Sequence, residues 1–148
     1  MYTGDARRTN SPCPRRKKRP MLPLLVTAAI IRKEKQVLIT RRPEGSRHAG
    51  LWEFPGGKLD DDASPQDCLR REIREELDLE VAVGPILEVA YYRYDWGPVL
   101  VLAFECRPLG NRIRNLEVAE HRWVRPEALA DFDILPADRP IIEKLLCS

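Results

Sequence analysis

The sequence predicts an α/β (α+β) protein in which helices flank a mixed β-sheet. A chain of 148 residues with 43% hydrophobic residues suits one soluble domain with one buried core. Short β-rich runs outnumber the helical patterns and do not alternate strictly with them. Strict alternation would favour a parallel sheet, whereas this order favours a mixed sheet covered by helices.

The first strands follow a basic N-terminal segment. We expect strands at "LLVTAAII" and "QVLITRR", which are apolar, β-rich runs separated by the charged turn "RKEK". "LWEFPGGK" is expected to form a short strand that Pro55, Gly56 and Gly57 interrupt. This part of the chain is therefore predicted to form a hairpin followed by an irregular glycine-containing segment.

The clearest helix of the sequence begins after residue 63. Ser64 is a suitable N-cap, Pro65 takes the first helical position, and Asp67 lies three residues after the cap, as in a capping box. An apolar stripe repeats at every fourth position of the predicted helix and comprises Leu69, Ile73 and Leu77. The pattern predicts a helix with one buried face.

The rest of the chain is predicted to add three strands and two helices. "EVAVGPILEVAYYRY" and "GPVLVLAFECRP" are long β-rich runs parted by "DWG", and "EHRWV" is a shorter one. "RPEALADF" and "RPIIEKLL" have helical patterns, and the second is the terminal helix. The apolar residues that this terminal helix is expected to turn inward are Ile141, Ile142, Leu145 and Leu146.

Charge is distributed unevenly between the N-terminal segment and the remainder. Seven basic residues and one acidic residue give residues 1–20 a net charge of +6, which leaves −4 for the rest of the chain. We expect residues 1–20 to be a disordered basic tail and residues 21–148 to form the domain. A flexible tether for nucleic acid is the alternative for the tail, but an acidic body is a poor general nucleic-acid surface, so nucleic acid is not the expected partner.

The cysteines and the first apolar run indicate in which cellular compartment the protein is expected. The four cysteines lie far apart and form no zinc-ligand spacing, which favours a reduced, cytoplasmic protein. "RRKKRP" followed by "MLPLLVTAAII" imitates a signal peptide, yet the apolar run is too short to span a bilayer and continues into a charged turn. No membrane association is expected.

Three carboxylates of the predicted helix lie on one side of it. At the α-helical rotation, Glu72, Glu75 and Glu76 share a face about 100° wide, away from the apolar stripe. Like charges this close repel one another, and a divalent cation would reverse the sign of that interaction. Oxygen-only ligands are what Mg²⁺ prefers. The alternative is an ordinary salt-bridged surface helix, and what argues against it is the glycine pair followed by Lys58.

This stretch resembles the Nudix box, G x5 E x7 R E U x E E x G U, in which U is a bulky aliphatic residue. The matching positions are Gly57, Arg71, Glu72, Ile73, Glu75, Glu76 and Leu79. The resemblance implies a Nudix-type α/β/α sandwich and a Mg²⁺-dependent hydrolase, with Mn²⁺ as an alternative ion. Ala63 replaces the first glutamate of the box and Asp78 replaces its late glycine. We expect Asp60 or Asp62 to compensate for Ala63, and Asp78 to tolerate the left-handed C-cap conformation.

Outside the box, the chain resembles the MutT-like nucleoside triphosphate pyrophosphohydrolases from Leu22 to Leu146. The resemblance makes Glu72, Glu75, Glu76 and Glu117 the catalytic acids, and Gly56 joins them in the metal site. Glu120 is the rival to Glu117, because the loop between Asn111 and Trp123 can be aligned differently. The residues it implies for substrate binding are Arg42, Glu53, Phe54, Lys58 and Asp138.

The expected substrate is a small nucleoside triphosphate, cleaved to the monophosphate and pyrophosphate by a monomer or a homodimer. An ionised Asp138 accepts hydrogen bonds and so suits the donor edge of cytosine or guanine, while capping of the terminal helix is its alternative role. The aromatic residues of the β-rich runs are candidates for base stacking or for the core, and His48 for the surface or for phosphate contact. Alternative functions are hydrolysis of nucleotide sugars or dinucleotides and catalytically silent nucleotide sensing.

Overall fold

A computed structural model describes residues 22–60 and 62–147. The predicted basic tail, residues 1–20, lies outside the described residues. Within the described part of the chain, no helix is both long enough and apolar enough to cross a membrane.

The strands and helices follow the predicted order. The strands are β1 (Leu24–Lys33), β2 (Gln36–Arg41), β3 (Trp52–Glu53), β4 (Gly56–Lys58), β5 (Val81–Tyr94), β6 (Gly97–Pro108) and β7 (Glu120–Val124). The α-helices are α1 (Pro65–Leu77) and α2 (Arg139–Cys147), and two short 3₁₀ helices span Pro126–Asp131 and Pro136–Asp138. The predicted short helix after β7 is therefore a 3₁₀ helix.

The seven strands form a mixed sheet. Its order is β3-β2-β1-β6-β5, with β4 paired to β1 and β7 paired to β2 off this path. β1 and β6 run parallel to each other, and the remaining strand pairs are antiparallel. The central strand β1 thus has β6 on one side and both β2 and β4 on the other, which brings the glycine-containing β4 into the middle of the molecule.

Helices cover both faces of the sheet, as the predicted sandwich requires. The apolar stripe of α1, formed by Leu69, Ile73 and Leu77, packs against one face. Ile141 and Leu145 of α2 pack against the other. β5 and β6 alternate between the two apolar clusters because successive side chains of a strand point to opposite faces. Burial of the cluster that includes Leu69, Ile73 and Leu77 holds α1 against its face of the sheet.

The ends of α1 follow the sequence prediction. The Ser64 hydroxyl accepts a hydrogen bond from the backbone N–H of Asp67 at 3.1 Å, and Pro65 occupies the first turn. Asp78 ends the helix in the left-handed conformation, with φ 54° and ψ 39°, and its N–H donates to the Arg74 carbonyl. Both boundaries of the acid-bearing helix are therefore set by local chemistry.

One core prediction was wrong. Leu146 was expected to turn inward, but 54% of it is exposed, whereas Ile141 and Leu145 are buried. Leu146 lies about 140° around the helix from Ile141, so it falls at the edge of the buried face. Ile142, at about 100°, is half-buried. Among the aromatic residues that were candidates for the core, Trp52 is buried and Trp123 is partly buried.

Candidate active site

A pocket of about 450 Å³ opens beside β4 and α1 and continues towards the turn between β5 and β6. Most residues that the sequence predicts for the site line it: Arg42, Glu53, Phe54, Gly56, Lys58, Glu72, Glu76 and Asp138. Glu75 and Glu117 are not among its lining residues. The fold therefore brings together side chains from five separate segments at one cavity.

The glycine pair allows two close approaches. A Cβ on Gly56 would overlap the β1 backbone, including the Ala28 Cα at 2.9 Å. A Cβ on Gly57 would overlap the Glu72 side chain, whose Cγ would lie at 2.8 Å. Real Cβ atoms do not come this near to other heavy atoms, so a side chain at Gly56 would have to displace the β1 backbone, and one at Gly57 would have to displace the Glu72 side chain. The bare backbone of Gly57 is the surface against which Glu72 lies.

Glu76 is the most deeply placed of the helix acids. Burial raises its pKa to about 9, and the charges of Glu53, Glu72 and Glu117 add to this effect, while a backbone hydrogen bond with Gly56 opposes it. Burial also raises the pKa of Glu72, and Glu75 and Glu117 contribute to it by repulsion. The carboxylates of Glu72 and Glu76 thus lie near other acidic side chains, and their negative charges repel one another.

Glu117 and Glu120 lie in different surroundings. Glu117 lies next to α1, since its backbone N–H donates a hydrogen bond to the Glu76 carbonyl at 3.2 Å. Glu120 in β7 is instead held by Arg41 at 3.3 Å and by Arg122 at 2.9 Å. Side-chain hydrogen bonding with Arg122 is the main cause that lowers the pKa of Glu120. Of these two acids, Glu117 is the one that the fold places with Glu72 and Glu76.

The chemistry of the acid group suits a divalent cation. Carboxylate oxygens are ligands that Mg²⁺ prefers, and the backbone N–H of Gly56 donates a hydrogen bond to the Glu76 carboxylate beside them. Across residues 22–60 and 62–147, however, no three His, Cys, Asp or Glu side chains already form a group that could hold a metal ion. The acids share one region and repel one another there, so binding of a cation has to draw their carboxylates together.

Arg42 and Glu53 form a paired wall of the pocket. Arg42 Nη1 lies 3.1 Å from Glu53 Oε1 and 3.0 Å from Oε2, and Arg42 Nε donates to the Arg47 carbonyl at 2.6 Å. Burial raises the pKa of Glu53, and the charge of Arg42 and its hydrogen bond oppose that rise. Arg42 therefore ties β3 to the loop before it and leaves part of its guanidinium along the cavity.

Asp138 lines the same cavity and is only 4% exposed. Its Oδ2 accepts a hydrogen bond from the backbone N–H of Phe54 at 2.9 Å. Burial raises its pKa to about 8, with a further contribution from the charge of Glu53, while the Phe54 hydrogen bond and Arg42 oppose the rise. The side chain thus joins the start of α2 to the segment between β3 and β4, a contact that neither base recognition nor helix capping predicted.

Aromatic rings close the end of the pocket away from α1. Tyr94 and Trp96 are stacked, with ring centroids 5.2 Å apart and an interplanar angle of 6°. The Arg47 guanidinium lies 4.1 Å from the Trp96 ring centroid, and the His48 ring lies 4.7 Å from that of Tyr94. Tyr91, another stacking candidate, is 54% exposed and does not line the cavity.

Sequence reasoning missed Arg47 and Trp96. Trp96 belongs to the short "DWG" turn between two long β-rich runs, and a tryptophan in an exposed turn was the available indication. Arg47 is a charged loop residue like many others, so nothing in its sequence context distinguished it. Only the meeting of the two loops in space shows that both residues line the cavity.

Known proteins resemble this chain in sequence and in fold. A family model described as NUDIX domain matches residues 21–145. The chain is 36% identical to a CTP pyrophosphohydrolase of Escherichia coli over 124 residues, which cover 82% of this chain and 90% of the relative. It is 33% identical to an 8-oxo-dGTP diphosphatase of Haemophilus influenzae, with the same coverage of both chains. The solved structure of a MutT protein from Methanosarcina mazei superposes with a TM-score of 0.78 at 27% identity, covering 88% of this chain and 97% of that one.

Proposed function

Because this chain belongs to the NUDIX family, we propose that it hydrolyses (deoxy)nucleoside triphosphates to the monophosphate and pyrophosphate. The observation that carries the proposal is one cavity with two chemically different ends. Carboxylates and Lys58 lie at the α1 end, and aromatic rings with a buried acid lie at the other. A nucleotide has the matching polarity, since its phosphates need cations and its base needs flat apolar surfaces.

Glu72, Glu75, Glu76 and Glu117, with the backbone at Gly56, are the groups that we propose to hold Mg²⁺, and Mn²⁺ fits the same oxygen donors. The ion supplies positive charge against the triphosphate and lowers the pKa of water at the site. Lys58 and Arg42 add positive charge at the cavity wall, where charge develops on the phosphates.

A carboxylate is proposed to take the proton of the attacking water. Glu72 and Glu117 are the candidates, and Glu72 is favoured because it lines the cavity whereas Glu117 does not. Gly57 supports this assignment, since its lack of a side chain leaves room for Glu72 beside the cavity. A general base has to lie within hydrogen-bond reach of its proton, which a lining residue achieves most directly.

The base is proposed to lie between the walls formed by Phe54 and the Tyr94–Trp96 stack, with Asp138 near its polar edge. Relatives named for CTP and for 8-oxo-dGTP both match this chain over most of its length. Both bases carry hydrogen-bond donors that an oxygen of the Asp138 carboxyl group can accept. The corresponding role is removal of damaged or surplus nucleotides, which protects DNA, and we place it in the cytoplasm.

A pyrophosphate-release screen tests the proposal. The full chain is incubated with normal, oxidised and methylated triphosphates, with Mg²⁺ or with a chelator, and a nucleotide sugar and a dinucleotide serve as comparison substrates. We expect metal-dependent release of pyrophosphate from at least one triphosphate and little cleavage of the comparison substrates. Absence of metal-dependent turnover on every triphosphate would remove the proposed function, and preferential cleavage of the nucleotide sugar or dinucleotide would replace it with that alternative.

A further inference from the structure

Arg71 of α1 is surrounded by acids from two segments of the chain. Its Nη1 lies 3.5 Å from Asp60 Oδ2, its Nη2 lies 3.6 Å from Glu72 Oε2, and its Nε lies 3.7 Å from Glu75 Oε2. All three separations are longer than a direct N–H···O hydrogen bond. The guanidinium is therefore shared among three carboxylates, and its Nη2 also donates a hydrogen bond to Cys68 Sγ at 3.7 Å.

Asp60 differs from the other two partners in its position in the chain. Glu72 and Glu75 belong to the same helix as Arg71, whereas Asp60 lies in the loop after β4. A long arginine side chain loses considerable rotamer freedom when it is held in one conformation. Asp60 is the charged partner outside the helix. It therefore restricts the Arg71 side chain from a side that Glu72 and Glu75 do not occupy.

Asp60 is itself held by the loop. Its Oδ1 accepts a hydrogen bond from the backbone N–H of Asp62 at 3.2 Å, and its carbonyl accepts one from the N–H of Ala63 at 3.4 Å. One carboxylate oxygen thus serves the loop while the other faces Arg71. Because the same carboxylate contacts both, the conformation of the loop and the conformation of the Arg71 side chain depend on each other.

The conformation of the Arg71 side chain matters because its positive charge can pair with Glu72 or with Glu75. Glu72 has a side-chain exposure of 21% and Glu75 one of 49%, so an ion pair with Glu72 is the less screened of the two. An arginine released from Asp60 is free to settle on Glu72 alone. Its positive charge would then compete with a divalent cation for the same carboxylate.

We propose that Asp60 is a positioning residue for the metal site, acting through Arg71, and that it takes the place of the acid that the Nudix box has at position 63. This inference rests on the proposed function, because it assigns Glu72 and Glu75 to a cation. Ala63 has only a methyl group and cannot pair with an arginine. Asp60 precedes it by three residues and reaches Arg71 from the same loop.

Binding of Mn²⁺ to the full chain in the absence of nucleotide tests the proposal, with electron paramagnetic resonance to measure the free ion. Asp60→Ala is expected to raise the dissociation constant about 10-fold, as loss of a residue that orients a metal ligand typically does. Asp62→Ala is the matched control, because Asp62 is an exposed acid of the same loop that contributes its backbone N–H to Asp60. It is expected to leave the dissociation constant unchanged.

A rescue variant separates positioning from general damage to the loop. Ala63→Glu, introduced together with Asp60→Ala, returns an acid to the loop and is expected to restore most of the lost affinity. In turnover assays, Asp60→Ala should raise the Mg²⁺ concentration for half-maximal rate while the rate at saturating Mg²⁺ changes little. Asp60→Asn keeps the side-chain shape without the charge, and it replaces Asp60→Ala if the alanine variant does not fold.

Several outcomes would overturn the proposal. One is wild-type Mn²⁺ affinity in both Asp60→Ala and Asp60→Asn. Another is an equal loss of affinity in Asp60→Ala and Asp62→Ala. The third is failure of Ala63→Glu to restore Mn²⁺ binding to Asp60→Ala. If the wild-type chain binds Mn²⁺ but hydrolyses no nucleotide, the proposed function fails while the binding comparison still decides the role of Asp60. If the wild-type chain binds no Mn²⁺, this inference fails with it.

Discussion

The Glu72 side chain lies directly against the backbone of Gly57. The Glu72 side chain occupies the space into which a Cβ on Gly57 would project. The two residues are far apart in sequence, and the antiparallel pairing of β4 with β1 brings Gly57 under α1, with Thr27 opposite it. The thiol of Cys68 strengthens this junction by donating a hydrogen bond to the Lys58 carbonyl at 3.2 Å.

Gly57→Ala is expected to displace the Glu72 carboxylate and to lower kcat about 100-fold, since a misplacement of about 1 Å at a reacting centre has that effect. Gly110→Ala is the matched control, because a Cβ on Gly110 meets no atom within 4 Å. Steady-state kinetics with Mg²⁺ and circular dichroism compare the two variants. Full activity in Gly57→Ala would show that the position of Glu72 is unimportant.

Glu76→Gln is expected to reduce turnover by orders of magnitude and to leave the metal-free protein as stable as the wild type. The amide has the size of the carboxyl but not its charge, so it loses the cation and also the repulsion from neighbouring acids. Glu143→Gln, an exposed glutamate of α2, is the control. Turnover and urea denaturation are the two measurements, and an unchanged turnover would exclude Glu76 from the metal site.

Glu117→Gln is expected to change the Mg²⁺ requirement of catalysis, and Glu120→Gln is not. Glu117 faces the helix acids, so its loss should raise the Mg²⁺ requirement about 10-fold. Glu120 is held by Arg41 and Arg122, so its loss should leave the Mg²⁺ requirement unchanged. Titration of the reaction rate with Mg²⁺ distinguishes them. The reverse pattern would assign the fourth acid to Glu120.

Because the pKa of Asp138 is raised in the folded protein, the free energy of unfolding is expected to fall as the pH rises. Its pKa is raised to about 8 in the folded state from an ordinary value of 3.8, so the folded protein keeps a proton that the unfolded chain has lost. The stabilisation is complete below pH 4 and is lost as the pH rises towards 8, which lowers the free energy of unfolding by at most about 6 kcal/mol. Asp138→Asn carries no such proton, so it should flatten this part of the stability profile. Urea denaturation at several pH values between 4 and 9 checks it, and parallel profiles for variant and wild type would refute the assignment.

Trp96→Ala is expected to raise KM for the preferred triphosphate about 10-fold, because loss of one stacking ring costs on the order of 1–3 kcal/mol of base binding. Tyr91→Ala is the control, since Tyr91 lies on the neighbouring strand β5 but does not line the cavity. Initial rates over a range of triphosphate concentrations separate KM from kcat. An equal effect of the two substitutions would place the base elsewhere.

The local features of this protein were determined by its sequence. Ser64, Pro65 and Asp78 set the ends of α1 through contacts with residues only three or four positions away. The spacing of Leu69, Ile73 and Leu77 selected the buried face and so placed Glu72 and Glu76 away from the core. Such features can be predicted because helix geometry fixes short-range neighbours without knowledge of the rest of the chain.

The tertiary structure decided which distant residues meet. Pairing of β7 with β2 holds Glu120 beside Arg41, and the loop before β7 brings Glu117 to α1. The approach of two loops brings Arg47 over Trp96. Asp60, and not only the box positions, faces Arg71 because the loop after β4 turns back towards α1. These contacts depend on strand pairing and loop closure over long separations in sequence, which residue spacing along one element does not specify.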